Sequence, residues 1–280
     1  MKRRQSIRKR RVSIGFSPCP NDTHIFCALV QGRIPLQRLT LAPEVLADVE
    51  TLNGWALGCR LDITKISFHA MGYVLDKYRI LDSGAALGRG CGPLLVAADE
   101  QEIANLEELR IAIPGRLTTA ALLLKLYAPR CRNLISMPFD EIMPAVAGGR
   151  VDAGLIIHES RFTYGAHGLQ QLVDLGAWWE EETGLPIPLG CIAASRALDK
   201  AEIAEIETAI RRSILHAGNY PDHCEEYIRR HAREMEIKVM RNHIDLYVND
   251  FSLSLGEEGR AAVEELLRRG RDAAVFSEEL

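Results

Sequence analysis

The sequence predicts an α/β protein with mainly parallel sheets covered by helices on both faces. Short apolar runs alternate with amphipathic helical stretches along most of the chain, and runs such as 151–159 are typical of buried strands. The 280 residues are 47% hydrophobic and 26% charged, which is an ordinary globular composition. This length is sufficient for two domains of about 100–150 residues.

Strands are predicted where aliphatic and β-branched residues form short runs between Gly, Pro or polar residues. These runs cover residues 11–18, 39–46, 61–67, 78–87, 92–99, 109–115, 151–159 and 185–198. Helices are predicted where capping residues begin an amphipathic stretch: Asn21-Asp22-Thr23 lie before the first, and the stretch 118–128 opens on paired threonines. The helical stretches cover residues 24–32, 48–60, 68–79, 118–128, 140–150, 200–219, 221–232 and 256–273.

Two extended passages rich in Gly and Pro, 88–97 and 184–194, join blocks of α/β pattern without a helix of their own. They indicate a chain that leaves one lobe, builds a second and returns, although both could also be edge strands of a single sheet. We expect lobe I to comprise 1–92 and 193–280, with a basic leader over 1–11, and lobe II to comprise 93–192. The glycines of 88–92 match no nucleotide-binding loop and are interpreted as a hinge that needs unusual φ angles.

Charge and hydropathy limit the partners. The first eleven residues hold seven of the 34 basic side chains and no acid, so the rest of the chain has a net charge near −11. Such an acidic body argues against nucleic acid as the main partner, and we expect the leader to be a frayed, solvated terminus. No stretch approaches the ~20 apolar residues of a membrane helix, and no secretion signal follows the leader. We therefore expect a cytoplasmic protein. The sequence leaves both a monomer and a homodimer open.

The seven cysteines are odd in number, widely scattered and without a CxxC pair, which is typical of reduced thiols. The histidines lack the paired spacing of zinc ligands, so no metal is predicted; the nearest grouping comprises His216, Cys224, His231 and His243.

Polar side chains follow four predicted strands, where ligands bind in open α/β sheets. The four segments are Ser17–Thr23, Thr64–Ser67, Pro114–Thr119 and His158–Ser160. The first three lead into helices, whose free N–H groups and positive dipole end favour an anion. Together they predict a small anionic ligand in a cleft between two lobes. The basic residues that could meet its carboxylate are Lys65, Arg89, Arg116 and Arg161.

His158 follows the apolar run 153–157 and should emerge at the carboxyl edge of its sheet. A partly buried imidazole at that place could serve as a general base, and a hydrogen-bonded core histidine is the equally weighted alternative. Trp178-Trp179 could form an aromatic wall over a ligand or a packed corner between lobes. His24, early in a helix near the cleft, is either a plain helix residue or a second titrating group.

Several longer motifs occur in order along the chain: SPCPNDTHIF, DVETLNGWAL, PGRLTTA, AGLIIHESRFTY, DLGAWWEEETGLPIPLG and YVNDFSLSLGEEG. From about Val12 to Ala274 the chain resembles the 1,4-dihydroxy-6-naphthoate synthase family of the futalosine route to menaquinone. The resemblance implies a fold similar to type II periplasmic binding proteins, with two α/β lobes joined by two extended crossings.

The same resemblance implies a lyase without metal or organic cofactor. Its substrate would be cyclic dehypoxanthinyl futalosine, which is split into 1,4-dihydroxy-6-naphthoate and dihydroxyacetone. The family's proton acceptor falls on His158, in lobe II. Its substrate-binding segments fall on Lys65, Ile66 and Ser67, and on Thr118 and Thr119. Two other classes are weighed against it: a chorismate dehydratase of the same pathway, which is expected to lack this histidine, and a non-enzymatic protein that binds small anions.

Overall fold

The computed structural model describes residues 9–98, 103–232 and 236–277. Its strands are β1 (Arg10–Val12), β2 (Ile14–Phe16), β3 (Leu39–Leu41), β4 (Val45–Leu46), β5 (Ile63–Ser67), β6 (Tyr78–Ile80), β7 (Ala86–Gly88), β8 (Leu94–Ala97), β9 (Ile111–Ile113), β10 (Leu134–Ser136), β11 (Ala153–Ile156), β12 (Gln170–Asp174) and β13 (Ile187–Ser195). Its α-helices are α1 (Pro20–Val30), α2 (Val49–Leu57), α3 (Phe68–Tyr73), α4 (Thr119–Tyr127), α5 (Phe139–Ala147), α6 (Ser160–Thr163), α7 (Leu175–Thr183), α8 (Lys200–Asn219), α9 (Asp222–His231), α10 (Ile237–Tyr247), α11 (Asp250–Leu253) and α12 (Gly256–Asp272). Across the described part of the chain, no helix has the length and apolar character required to span a membrane.

Two sheets define two lobes. The first sheet has the strand order β4-β2-β5-β13-β6, with β7 also paired to β13, and the second has the order β10-β9-β11-β8-β12. The two-lobed α/β fold predicted from the sequence is therefore confirmed.

The expectation of mainly parallel sheets is wrong in detail, because both sheets are mixed. Strand β8 runs antiparallel to β11 and β12, and β13 runs antiparallel to β5, β6 and β7. A parallel neighbour needs a crossover connection of a dozen or more residues, usually a helix. The strands that follow the two extended crossings have no such helix before them, and they enter their sheets antiparallel to their neighbours.

The two crossings lie side by side. Arg89 Nη2 donates to the Gly184 carbonyl at 2.8 Å, and the Gly90 N–H donates to Glu180 Oε1 at 2.7 Å. Gly90 and Gly92 have φ of +63° and +122°, values that few residues with a Cβ adopt. The unusual φ angles predicted for these glycines are thus confirmed, and their role as a hinge stays a prediction.

Strand β13 lies wholly in the first sheet, so the predicted boundary between 192 and 193 falls inside a strand. The chain changes lobe earlier, over 184–186, directly before β13. The extended pattern of 185–198 contains no break that would locate this transition. The division of the chain into lobes at the predicted residues otherwise stays a prediction.

One hydrophobic core extends beneath both lobes. It includes Phe68 and Met71 of α3 in the first lobe together with Leu95 and Leu155 of the second sheet, all fully buried. Helix α4 packs against α3, β13 and α12, and its leucines fill the space between them. Burial of aliphatic side chains on this scale is the main stabilising contribution to the fold.

The tryptophan pair is a packed corner. Trp179 is fully buried and donates its indole N–H to the Pro186 carbonyl at 3.1 Å, beside the second crossing. Trp178 packs edge-on against Tyr127, with ring centroids 5.4 Å apart.

The basic leader is only partly a solvated tail. Residues 1–8 lie outside the described residues, but Arg10 and Arg11 form β1 and pair with β3. The Arg10 guanidinium donates to the Ala197 carbonyl at 2.9 Å and lies 3.3 Å from Glu202 Oε2. The strand predicted over 11–18 thus begins one residue earlier and is divided into β1 and β2, so the end of the leader belongs to the fold.

The expectation that all cysteines are reduced is wrong for one pair. Cys27 of α1 and Cys224 of α9 form a disulfide across 197 residues of sequence. Scattered spacing could not reveal this pair, because only the packing of α1 against α9 brings the two thiols together.

Gly176 of α7 packs directly against the backbone of Cys91 in the first crossing, and this contact predicts how a substitution would change stability. A Cβ on Gly176 would lie 1.8 Å from the Cys91 carbonyl oxygen, and backbone on both sides prevents relief. We expect Gly176→Ala to lower the free energy of unfolding by at least ~2 kcal/mol. The control is Gly54→Ala in α2, where a Cβ meets open space and should stabilise the helix by about 0.5–1 kcal/mol. Urea denaturation of both variants measures this, and equal stabilities would contradict the packing described.

Candidate functional site

A cavity lies at the carboxyl ends of β5 and β11, between the two sheets. All four polar segments predicted at strand ends contribute to it. The predicted residues that line it are Lys65, Ile66, Ser67, Thr118, Thr119 and His158. The structure thus places every predicted site residue around one space, and their individual roles stay predictions.

His158 lies two residues beyond the end of β11, partly buried, with φ of +58°. This left-handed conformation is uncommon for a residue with a Cβ, and such strain concentrates at functional sites. The Phe139 ring packs edge-on against the imidazole with centroids 5.0 Å apart. The backbone turn and the aromatic contact together direct the ring to the cavity, which it lines.

A buried ion pair forms part of the cavity wall. Lys65 Nζ lies 3.0 Å from Asp22 Oδ1, and both side chains are about 95% buried. Lys65 also donates to the Gly84 carbonyl at 3.0 Å, while Asp22 Oδ2 accepts from the Ser17 hydroxyl at 2.7 Å. The charge of Lys65 is therefore already compensated by the protein.

The other basic residues considered for the substrate carboxylate lie elsewhere. Arg89 pairs with Glu258 at 2.7 Å, Arg161 pairs with Asp174 at 2.6 Å, and Arg116 is exposed. Among the described residues that line the cavity, Lys65 is the only lysine or arginine.

Hydroxyl groups and a helix start face the cavity instead. Asn53 holds Ser67 by two hydrogen bonds, from Asn53 Nδ2 to the Ser67 hydroxyl at 3.1 Å and from the Ser67 N–H to Asn53 Oδ1 at 2.9 Å. Thr118 is the N-cap of α4, and its hydroxyl accepts from the Ala121 N–H. The Thr119 hydroxyl donates to the Leu189 carbonyl at 2.6 Å. The positive end of the α4 dipole thus faces the cavity and favours an anionic group there.

Glu50 of α2 secures the loop before α4. The Leu117 N–H donates to its carboxylate at 3.0 Å, and Gly115 approaches so closely that a Cβ would lie 2.3 Å from the carboxyl carbon. Burial raises the pKa of Glu50, and the hydrogen bonds from Leu117 and Asn53 oppose this rise. This contact joins the first lobe to the segment that carries Thr118 and Thr119.

Sequence reasoning missed two polar aromatic residues of the lining, His243 and Tyr247, whereas Asn21 lies in the predicted segment Ser17–Thr23. His243 and Tyr247 are four residues apart on α10 and share one helix face, with ring centroids 4.7 Å apart. The available signal was this i, i+4 pair of polar aromatic residues in NHIDLY. It points to a common face, but it does not indicate which cavity that face meets.

His24 does not line this cavity. It borders a separate groove between α1 and α10 with Asp245. Burial lowers its pKa to about 4, and the charge of Asp245 opposes the shift only partly. The interpretation of His24 as a titrating group near the pocket is therefore not supported by its position.

Three possible metal-ligand atoms cluster beside the cavity, contributed by Cys19, His158 and Glu159. They lie within 4.8 Å of one another and comprise thiol, imidazole and carboxylate, a donor set that suits zinc. The sequence predicts no metal, and that remains a prediction.

Comparison with known proteins identifies the chain's relatives. Residues 12–272 match a family model described as menaquinone biosynthesis. The chain belongs to the menaquinone biosynthesis family. Within this family, a Thermus thermophilus protein named 1,4-dihydroxy-6-naphthoate synthase is 54% identical over 253 residues, covering 90% of this chain and 91% of the relative. A Streptomyces coelicolor protein of the same name is 44% identical, with 92% of each chain covered. The resemblance found in the sequence motifs is thereby confirmed.

Solved structures agree with the family fold. A crystal structure of a protein from Archaeoglobus fulgidus superposes with a TM-score of 0.88 and 37% identity, covering 95% of this chain and 98% of that one. The alkanesulfonate-binding protein of Xanthomonas axonopodis superposes with a TM-score of 0.71 at 14% identity, covering 96% and 94%. At that identity the second match shows the fold alone, and it confirms the expected likeness to periplasmic binding proteins.

The buried ion pair yields a prediction on stability. Removing one partner leaves an uncompensated buried charge, so Asp22→Asn should lower the free energy of unfolding by about 3–5 kcal/mol. The double variant Asp22→Asn/Lys65→Met removes both charges and should lose much less than the sum of the single variants. Urea denaturation of the four proteins measures the coupling. Strictly additive losses would show that the two charges do not stabilise one another.

Proposed function

We propose that the protein is a carbon–carbon lyase that converts cyclic dehypoxanthinyl futalosine to 1,4-dihydroxy-6-naphthoate and dihydroxyacetone. The observation that carries the proposal is the placement of His158 in one cavity with Lys65–Ser67 and Thr118–Thr119, in a chain 54% identical to a protein named 1,4-dihydroxy-6-naphthoate synthase. We propose further that it acts in the cytoplasm without metal or organic cofactor, as a monomer or homodimer.

In the proposed mechanism, His158 is the general base. The substrate is held by Ser67 on the first lobe and by Thr118, Thr119 and the start of α4 on the second. His158 removes a proton, and the released electron pair forms a carbonyl group as a carbon–carbon bond breaks. The electron pair of that bond stays on the three-carbon fragment, which takes a proton back from His158, and the remaining ring becomes aromatic by tautomerisation. Because aromatisation provides much of the driving force, the protein has mainly to position the base and exclude water.

Two other functions are less well supported. A chorismate dehydratase of the same fold is expected to lack the histidine at position 158, which this chain has. The similarity to periplasmic binding proteins at identities of 12–17% shows architecture and does not indicate a transport ligand.

Removing the base should abolish most of the turnover while preserving binding. We expect His158→Ala and His158→Asn to lose at least ~10²-fold in turnover, the size of general-base assistance. Asn is included because it tolerates the left-handed backbone at this position, which separates loss of the base from backbone strain.

The assay follows 1,4-dihydroxy-6-naphthoate by chromatography after addition of cyclic dehypoxanthinyl futalosine, with calorimetry for binding. His167→Ala, an exposed histidine in the same lobe, is the matched control and should turn over normally. Product from the His158 variants at the wild-type rate would discard His158 as the base. No product from the wild type, despite tight binding, would favour a binding protein.

Metal removal should have no effect on turnover. A metal on His158 would occupy the nitrogen lone pair that accepts the proton, so the working enzyme needs that imidazole uncoordinated. Dialysis against EDTA, checked by elemental analysis, should leave the rate unchanged. A rate that falls on dialysis and returns with added zinc would instead assign a metal to Cys19, His158 and Glu159.

A further inference from the structure

His243 is a second histidine at the cavity, and the reaction proposed above does not use it. It comes from α10, which packs against α1 and β7 of the first lobe, and it is 1% exposed. Its ring centroid lies 6.0 Å from that of His158, which follows β11 of the second lobe. The two imidazoles therefore lie near each other where the lobes meet.

A chain of hydrogen bonds determines which nitrogen of His243 carries the proton. Asn21 Nδ2 lies 3.1 Å from Asp22 Oδ1, and an ionised carboxylate only accepts, so the amide nitrogen must be the atom that faces it. Asn21 Oδ1 is then left to face His243 Nε2 at 3.0 Å. An amide oxygen only accepts, so Nε2 bears the hydrogen and donates it.

The remaining nitrogen, Nδ1, consequently carries a lone pair in the neutral ring. It is buried and has no hydrogen-bond partner within the described ranges 9–98, 103–232 and 236–277. Burial and the neighbouring His158 both lower the pKa of His243, which keeps the ring neutral and Nδ1 an acceptor. A buried acceptor without a partner is destabilising, and native proteins rarely retain one without a role.

We propose that Nδ1 of His243 is a substrate-binding group that accepts a hydrogen bond from a hydroxyl of the bound substrate. This inference rests on the proposed function, whose substrate contains the hydroxylated carbons released as dihydroxyacetone. A hydroxyl supplies the donor that Nδ1 lacks. A carboxylate, ketone or ether oxygen would instead place a second acceptor against Nδ1, which is repulsive. At a centroid separation of 6.0 Å, a group held by His243 is also close to His158.

Two substitutions of His243 test the roles of its two ring nitrogens separately. The amide of glutamine in His243→Gln reaches the position of Nε2 and keeps a donor for Asn21, but it has no acceptor at the position of Nδ1. The shorter side chain in His243→Asn does the reverse, because its amide overlies Nδ1 and falls short of Asn21. A purely structural role predicts that Gln is the milder change, and substrate binding through Nδ1 predicts that Asn is.

We expect His243→Gln to raise KM and lower kcat/KM by about tenfold or more, the value of one hydrogen bond to a buried acceptor, with His243→Asn closer to wild type. Thermal unfolding of both variants reports folding separately. The opposite order of kcat/KM among folded variants would overturn the proposal.

A direct readout does not depend on the folding of either variant. In protein with ¹⁵N-labelled histidine carrying His158→Ala, cyclic dehypoxanthinyl futalosine binds without turnover. The Nδ1 resonance of His243 should shift on saturation as a hydrogen bond forms. An unmoved resonance with bound substrate would refute the contact. Turnover by the wild type keeps the proposed function in place in either case, whereas its absence would refute that function first.

Discussion

The buried pair between Lys65 and Asp22 is the interaction on which the geometry of the cavity depends. Removing two charges from water costs several kcal/mol per ion, and the pair persists because its remaining donors and acceptors are satisfied by Ser17, Asn21 and the Gly84 carbonyl. Lys65 lies in β5, and Asp22 lies in the first turn of α1. The pair therefore joins the central strand of the first sheet to the start of a helix. The orientation of Asn21, and through it the tautomer of His243, follows from this junction.

The positive potential at the cavity comes from oriented dipoles and not from a free cation. Positive charge at the cavity does not come from a free arginine, because Arg89 and Arg161 are paired with carboxylates and Arg116 is exposed. What the cavity offers an anion is the start of α4 together with the hydroxyl of Ser67, because the Thr118 hydroxyl already donates to the Gly115 carbonyl at 2.8 Å. Oriented dipoles of this kind are fixed before the ligand arrives, so they stabilise charge without reorganisation at the moment of reaction. The one lysine or arginine in the described lining, Lys65, is paired with Asp22, so its charge is compensated within the protein.

Most of the site could be predicted because its signals are local. Each of these signals depends on a few neighbouring residues: the cap at Thr118, the polar residue after the apolar run of β11, and the glycines with positive φ at 90 and 92. What could not be predicted depends on contacts between distant segments. The pairing of Cys27 with Cys224, the return of β13 into the first sheet and the approach of His243 to Asn21 span 197, about 120 and 222 residues of sequence respectively. No spacing rule reaches across such separations. The packing of α1 against α9 and α10 brings the two cysteines and the His243–Asn21 pair together, and the ladder with β5 places β13 in the first sheet.

The common core beneath both lobes has a consequence for how ligands enter. In a protein whose two lobes rotate about a hinge, the lobes meet through a polar, hydrated interface and separate at a small cost in free energy. Here Phe68 and Met71 of one half belong to the same buried apolar cluster as Leu95 and Leu155 of the other, and the leucines of α4 are part of that cluster. A wide rotation would expose that surface at roughly 25 cal/mol per Å². A wide separation of the lobes would therefore oppose the burial that stabilises the fold, and we expect a ligand to enter by a narrow parting of the cavity rim.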